Sequence, residues 1–109
     1  MVMLISQQDR IAQIVSTLRE YEPERIILFG SQARGDADQY SDLDIVIIKE
    51  TEERFLDRLK TIYELVQPRF AMDVLVYTPQ EFTEMQERGN SFIEMVLREG
   101  IVVYESPDS

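Results

Sequence analysis

Two short apolar runs near the middle of the chain, separated by about 12 residues, constrain the fold more than any other feature. The first run, Arg25 to Phe29, stops at Gly30, and the second lies at residues 45–48 within a predicted strand over residues 42–49. Both have the length and apolar composition of buried strands. A connection this short is marginal for the crossover that joins parallel strands, and no long helix fits within it. We therefore predict a mixed or antiparallel sheet with helices packed on it.

The rest of the chain alternates between helical and extended patterns. Helices are predicted from Ser6 to about Tyr21, from about Glu52 to Val66, from the Thr78–Glu81 capping box to Arg88 and from about Asn90 to Gly100, a natural left-handed residue after a helix; further strands are predicted over Met72–Tyr77 and, at a sheet edge, Ile101–Tyr104. The order α-β-β-α-β-α-α-β predicts one α/β (α+β) domain over residues 1–109, with a mixed sheet of three to four strands.

The composition excludes several kinds of chemistry. The chain has no cysteine and no histidine, so it offers neither a Ser-His or Cys-His nucleophile nor a zinc site of His and Cys ligands. Any bound metal should be a hard cation such as Mg²⁺. The formal net charge of −10 opposes direct binding to nucleic acid and suits a basic protein partner.

The apolar start of the chain is too short for a signal peptide, and it lacks a basic segment before it. No apolar run approaches the length of a membrane span. We therefore expect a cytoplasmic protein that does not interact with membranes.

Three aspartates stand at the beginning of the apolar strands. Asp42 and Asp44 are two residues apart, so their side chains project from the same face of the second strand. Asp73 has the same position in the third strand. If these strands are neighbours, three carboxylates converge at one end of the sheet, and divalent cations would relieve their repulsion. This arrangement suits two cations that bridge an attacking and a leaving oxygen.

The Gly30-Ser31 pair adds groups that bind phosphate at the end of the first strand. Gly30 lets the backbone approach a ligand closely, and Ser31 offers a hydroxyl and an amide at the turn. Arg34, one turn further on, is suited to reach a phosphate or to brace the acidic cluster. Each feature alone has an ordinary explanation in turn or surface chemistry. Their combination at one spacing, in a strand context, indicates a nucleotide site.

The pattern Gly30-Ser31, ten residues, then Asp42-x-Asp44 resembles the signature of the DNA polymerase β-like nucleotidyltransferase superfamily. The fuller form, Gly-Ser-x-Ala-Arg-Gly followed by Ser-Asp-x-Asp, is similar to the minimal nucleotidyltransferase (MNT) branch. The resemblance covers roughly Ile26 to Tyr77 and implies the polymerase β-like fold.

The resemblance also implies the roles of the site residues. Gly30, Ser31 and Arg34 would bind the phosphates of an ATP substrate. Asp42, Asp44 and Asp73 would ligate Mg²⁺, with two ions expected, and would be the catalytic residues; Asp73 would help to deprotonate the acceptor hydroxyl.

Little chain follows Asp73, whereas larger relatives carry further domains that bind the acceptor. We therefore expect another chain to supply the acceptor. In the MNT branch this partner is commonly a helical HEPN toxin, a ribonuclease, and the MNT protein acts as an antitoxin that adenylylates a tyrosine of the toxin. Two alternatives stay open: an antitoxin that acts by binding alone, and a small-molecule nucleotidyltransferase.

The last predicted helix is apolar over more of its circumference than a surface helix needs. Its apolar residues are Phe92, Ile93, Met95, Val96 and Leu97. Either they all pack on the sheet or some of them contact a partner, which could be a second copy of the chain.

Overall fold

A four-stranded mixed sheet organises the chain, with helices on both of its faces. The computed structural model describes residues 7–35 and 42–107. Its elements are α1 (Gln7–Leu18), a 3-10 turn (Arg19–Tyr21), β1 (Arg25–Phe29), α2 (Ser31–Arg34), β2 (Leu43–Ile48), α3 (Phe55–Val66), β3 (Met72–Tyr77), α4 (Pro79–Glu87), α5 (Ser91–Glu99) and β4 (Ile101–Glu105). The predicted order is confirmed, and α2 is one further short turn at the start of the connection between β1 and β2.

The strand order is β3-β2-β1-β4. β1 pairs antiparallel with both β2 and β4, which confirms the prediction drawn from the short connection after β1. β2 and β3 are parallel, and α3 makes the crossover between them. β4 is an edge strand, as predicted, and β3 forms the other edge.

Each face of the sheet buries its own apolar core. The face covered by α1 and α3 contains Ile14, Leu18, Ile26, Leu28, Leu43, Ile45, Ile47, Ile62, Met72, Val74 and Val76. The face covered by α4 and α5 contains Ile27, Phe29, Val46, Ile48, Tyr77, Phe82, Ile93 and Val96. Since successive residues of a strand point to opposite faces, Asp44 and Asp73 lie on the face of α4 and α5.

The helix ends follow the sequence signals with one exception. The Glu81 amide donates to the Thr78 hydroxyl at 3.1 Å and the Thr78 amide donates to the Glu81 carboxylate at 2.8 Å, which completes the predicted capping box of α4. The predicted cap at Ser6 lies outside the described residues. Gly100 follows α5 as predicted, but its φ of −73° is not left-handed. A Cβ there would overlap the main-chain carbonyl oxygen of Val96 and lie 2.7 Å from Ile27 Cγ2, so the close approach of this residue to the end of α5 and to β1 is what requires glycine.

Most of the apolar side chains of α5 pack on the sheet. Ile93 and Val96 are buried, and Phe92 and Met95 pack against the same core. Leu97 is 43% exposed, so one of the five is available to a partner. None of the helices in the described ranges is long and apolar enough to cross a lipid bilayer.

A buried arginine joins α3, β3 and α4, and the sequence patterns did not reveal it. Arg58 is 5% exposed, and its guanidinium donates to the two carboxylate oxygens of Glu81 at 2.6 and 3.3 Å. It also donates to the carbonyls of Glu53 and Val76 at 2.9 and 3.0 Å. The hydrogen bond from Arg58 is the main cause that lowers the pKa of Glu81.

We expect Glu81→Gln to lower the free energy of unfolding at neutral pH by about 1–2 kcal/mol, because hydrogen bonds to a charged partner contribute about this much and the carboxylate is partly exposed. The pKa of Glu81 is lowered in the folded state. Its contribution is therefore present at neutral pH and is lost as the pH falls through the folded-state pKa. Urea unfolding at pH 7 and about pH 3 measures this. Glu87→Gln, an exposed site on α4, is the control, and equal effects of the two substitutions would contradict the assignment.

Candidate active site

The strand register brings two of the predicted aspartates side by side. Asp44 of β2 pairs with Asp73 of β3, and both follow residues that face the opposite core. Asp42 lies two residues before Asp44 on the same face, just ahead of the strand, and is exposed. The second and third strands are therefore neighbours, which is the condition on which the sequence prediction depended.

The two carboxylates interact directly. Burial raises the pKa of Asp44 above its usual range, and the charge of Asp73 and a hydrogen bond with it raise this pKa further. The charge of Asp42 acts in the same direction, and the Arg34 guanidinium in the opposite one. Asp44 therefore holds a proton more readily than an isolated aspartate, and the charge of Arg34 opposes this effect.

The side chains at this end of the sheet suit a hard divalent cation, since their donors are carboxylate oxygens. Asp44 and Asp73 are in contact, whereas Asp42 interacts with Asp44 through its charge. Within residues 7–35 and 42–107, no three acidic side chains form a ready-made metal site. The structure thus assembles two of the three predicted ligands and leaves Asp42 exposed on the same face.

The Gly30-Ser31 turn lies directly against this pair. Gly30 follows Phe29, which pairs with Asp44 across the antiparallel strands. Its φ of 74° and ψ of −152° are accessible essentially to glycine alone. A Cβ on Gly30 would also overlap the Oδ2 atom of Asp44. Glycine is therefore required both by the backbone conformation and by the closeness of the carboxylate.

The turn after Gly30 presents Ser31 and Arg34 near the acidic pair. The amides of Ala33 and Arg34 both donate to the Gly30 carbonyl at 3.1 Å, which forms the single turn of α2. Ser31 is half-buried and Arg34 is exposed. The serine before Asp42 in the motif, Ser41, lies outside the described residues.

One residue near the site, Tyr63 of α3, was missed by sequence reasoning. Its hydroxyl donates to the Met72 carbonyl and lies near the Val74 amide, which acts to lower the pKa of Tyr63. Burial raises the pKa of Tyr63, and the charge of Asp73 raises it further. The helical stripe of α3 places Tyr63 beside Ile62, but only the register of β3 reveals that it flanks Asp73.

We expect Gly30→Ala to lower the free energy of unfolding by about 2–4 kcal/mol, because backbone strain adds to the clash with Asp44. Gly35→Ala is the matched control: its φ of 81° is also left-handed, but no atom lies within 4 Å of the added Cβ. That control should lose only about 1–2 kcal/mol. Denaturant unfolding of both variants checks this, and equal losses would argue against the close contact between Gly30 and Asp44.

We expect Asp73→Asn to stabilise the metal-free protein at neutral pH by about 1–4 kcal/mol, the range for a like-charge pair a few ångströms apart. The folded-state pKa of Asp44 is raised, so its contribution to stability is present at low pH and is lost as the pH rises through that pKa. The advantage of the variant should therefore be small near about pH 4 and grow towards about pH 7. Thermal melts in EDTA measure the difference in stability between the variant and the wild type, with Asp57→Asn, at an exposed site, as the control. A difference that does not change with pH would argue against repulsion between Asp44 and Asp73.

Comparison with known proteins agrees with this geometry. Residues 12–109 match the family described as Polymerase beta, Nucleotidyltransferase. MntA of Haemophilus influenzae, a candidate protein adenylyltransferase, is 29% identical over 106 residues, which cover 93% of this chain and 90% of MntA. MJ0141 of Methanocaldococcus jannaschii, also a candidate protein adenylyltransferase, is 34% identical over 62 residues. That match covers 57% of this chain and 63% of MJ0141, which is less than two thirds of its length.

Two solved structures share the fold. A candidate minimal nucleotidyltransferase has a TM-score of 0.55 and 28% identity, with 86% of this chain and 89% of that chain covered. A chain of a toxin–antitoxin complex with AMP-PNP has a TM-score of 0.54, with 89% and 74% covered; at 19% identity it shows the fold alone.

The predicted enzyme class and fold are confirmed by the family match, which runs through the Gly30-Ser31 turn, the Asp44–Asp73 pair and the strands that hold them. This chain belongs to the polymerase beta nucleotidyltransferase family and resembles its minimal branch.

Proposed function

We propose that the protein is a Mg²⁺-dependent adenylyltransferase that transfers AMP from ATP to a hydroxyl of a partner protein. The observation that carries the proposal is the contact of Asp44 with Asp73 beneath the Gly30 turn. Carboxylates packed against a phosphate-binding turn suit nucleotidyl transfer, which depends on positioning and on neutralising phosphate charge. The candidate protein adenylyltransferases among the relatives support the choice of a protein acceptor.

The residues divide into two groups by role. The Gly30-Ser31 turn and Arg34 bind the phosphates of ATP, the turn through its backbone and hydroxyl and Arg34 through its charge. Asp42, Asp44 and Asp73 hold the Mg²⁺ ions. When bound, these ions would neutralise the carboxylates and the charge that develops on the phosphates.

The chemistry of the chain's own residues follows from their positions. The oxygen of the acceptor hydroxyl attacks the α-phosphorus of ATP, and Asp73 accepts the proton that this hydroxyl loses. A new oxygen–phosphorus bond forms, the bond from the α-phosphorus to the bridging oxygen of the β-phosphate breaks, and pyrophosphate leaves. Asp44 lies in contact with Asp73 at the same end of the sheet, where both carboxylates would hold the cations.

The acceptor in this proposal is a tyrosine of a HEPN-type toxin, and the protein is its antitoxin. The resemblance to the MNT branch supports this partner, and a chain with the same fold forms part of a toxin–antitoxin complex. The net charge of −10 favours a basic surface on the partner. The half-exposed Leu97 of α5 offers an apolar contact outside the site.

The test is transfer of label from ATP, labelled at the α-phosphate, to the protein encoded by the neighbouring gene, in the presence of Mg²⁺. We expect Asp44→Asn and Asp42→Asn to reduce incorporation at least about 100-fold, because each removes a group that stabilises charge in the transition state. Their melting temperatures should be equal to that of the wild type or higher. Asp57→Asn, an exposed acid on α3, should keep full activity.

Activity of Asp44→Asn within about threefold of wild type would exclude its role as a metal ligand. If the Asp44→Asn variant transfers no label but still inactivates the partner as fully as the wild type does, neutralisation by binding alone would be favoured instead.

A further inference from the structure

The edge strand β3 must hold Asp73 against a carboxylate that repels it. Strand ends at a sheet edge are the positions that open most readily, because they have neighbours on one side only. On its inner side, the start of β3 is held by the Leu43 amide, which donates to the Ala71 carbonyl at 3.0 Å. The pairing of Asp44 with Asp73 continues the ladder on that side.

Tyr63 holds the same segment from its outer side. The main-chain carbonyl of Ala71 points towards β2. Because main-chain groups of successive residues in a strand point to alternate sides, those of Met72 and Val74 point away from β2. The Tyr63 hydroxyl donates to the Met72 carbonyl, and it lies near the Val74 amide, which acts to lower the pKa of Tyr63. The hydroxyl of Tyr63 thus holds the main chain directly before Asp73 from the outer side of the strand.

The helix that carries Tyr63 is itself firmly attached. In the turns on either side of this residue, Leu59, Ile62 and Val66 pack into the core beneath the sheet. Tyr63 is 38% exposed, so its packing alone does not account for its position. The specific contacts of its side chain are those with the main chain of β3.

We infer that Tyr63 is a positioning residue, whose hydroxyl holds the main-chain carbonyl of Met72 directly before Asp73 and so keeps the Asp73 carboxylate in contact with Asp44. The inference rests on the proposed function above, in which Asp73 is a metal ligand. Without the hydroxyl, repulsion from Asp44 displaces the start of β3 outwards, and the carboxylates no longer converge on a cation. The nucleotide turn at Gly30, on the opposite side of β2, is unaffected.

The test compares Tyr63→Phe with Tyr77→Phe, which removes a hydroxyl at the other end of the same strand. Mn²⁺ serves as the metal probe, and its free concentration is followed by electron paramagnetic resonance during titration of each protein. Tyr63→Phe should bind Mn²⁺ about tenfold more weakly than wild type, the effect typical of groups that orient a metal ligand. Tyr77→Phe should bind it as wild type does.

Steady-state kinetics give the second measurement. Tyr63→Phe should lower kcat about tenfold while KM for ATP stays within about twofold, because the phosphate-binding turn is intact. A variant that keeps wild-type Mn²⁺ affinity and kcat, whatever its melting temperature, overturns the inference, since Tyr63 would then only cap the sheet edge. A wild type that binds no Mn²⁺ overturns the proposed function itself and the inference with it.

Discussion

Two like charges in contact at the end of an apolar sheet are the constraint on which the site depends. Asp44 and Asp73 lie on one face; Asp44 is partly withdrawn from water, and the charge of the exposed Asp73 raises the pKa of Asp44 further. Such a pair does not stabilise the fold. It persists because the strands that carry it are fixed by residues pointing the other way, such as Ile45 and Val74, which are almost completely buried.

The site is a product of strand direction. β2 and β3 run parallel, so both begin at the same end of the sheet, and each carries its aspartate there. β1 runs antiparallel, so it finishes at that end and delivers Gly30 next to Asp44. Three segments far apart in the chain therefore meet without any long functional loop, which explains how so small a domain can form a site of several groups.

Much of this could be predicted from the sequence, because it depends on local patterns. The short connection after β1 disfavoured a parallel crossover, the Thr78–Glu81 capping box marked the start of α4, and the alternation of strand faces put the aspartates on one side. What depends on distant partners could not be predicted. The bond between Arg58 and Glu81 requires α3 and α4, which cover opposite faces of the sheet, to approach each other at the edge of β3. The role of Tyr63 requires the outward direction of particular main-chain groups in β3. The three-ligand metal site stays a prediction.

The crossover helix has a second effect on the sheet. An unpaired strand edge is a template on which another chain can add a strand. On β3, the Tyr63 hydroxyl donates to the outward carbonyl of Met72, and Arg58 donates to the outward carbonyl of Val76. The helix α3, which makes the crossover between β2 and β3, thus also provides the side chains that occupy hydrogen-bonding groups of this edge. Within the described part of the chain, addition of a further strand to the sheet is therefore favoured at β4 over β3.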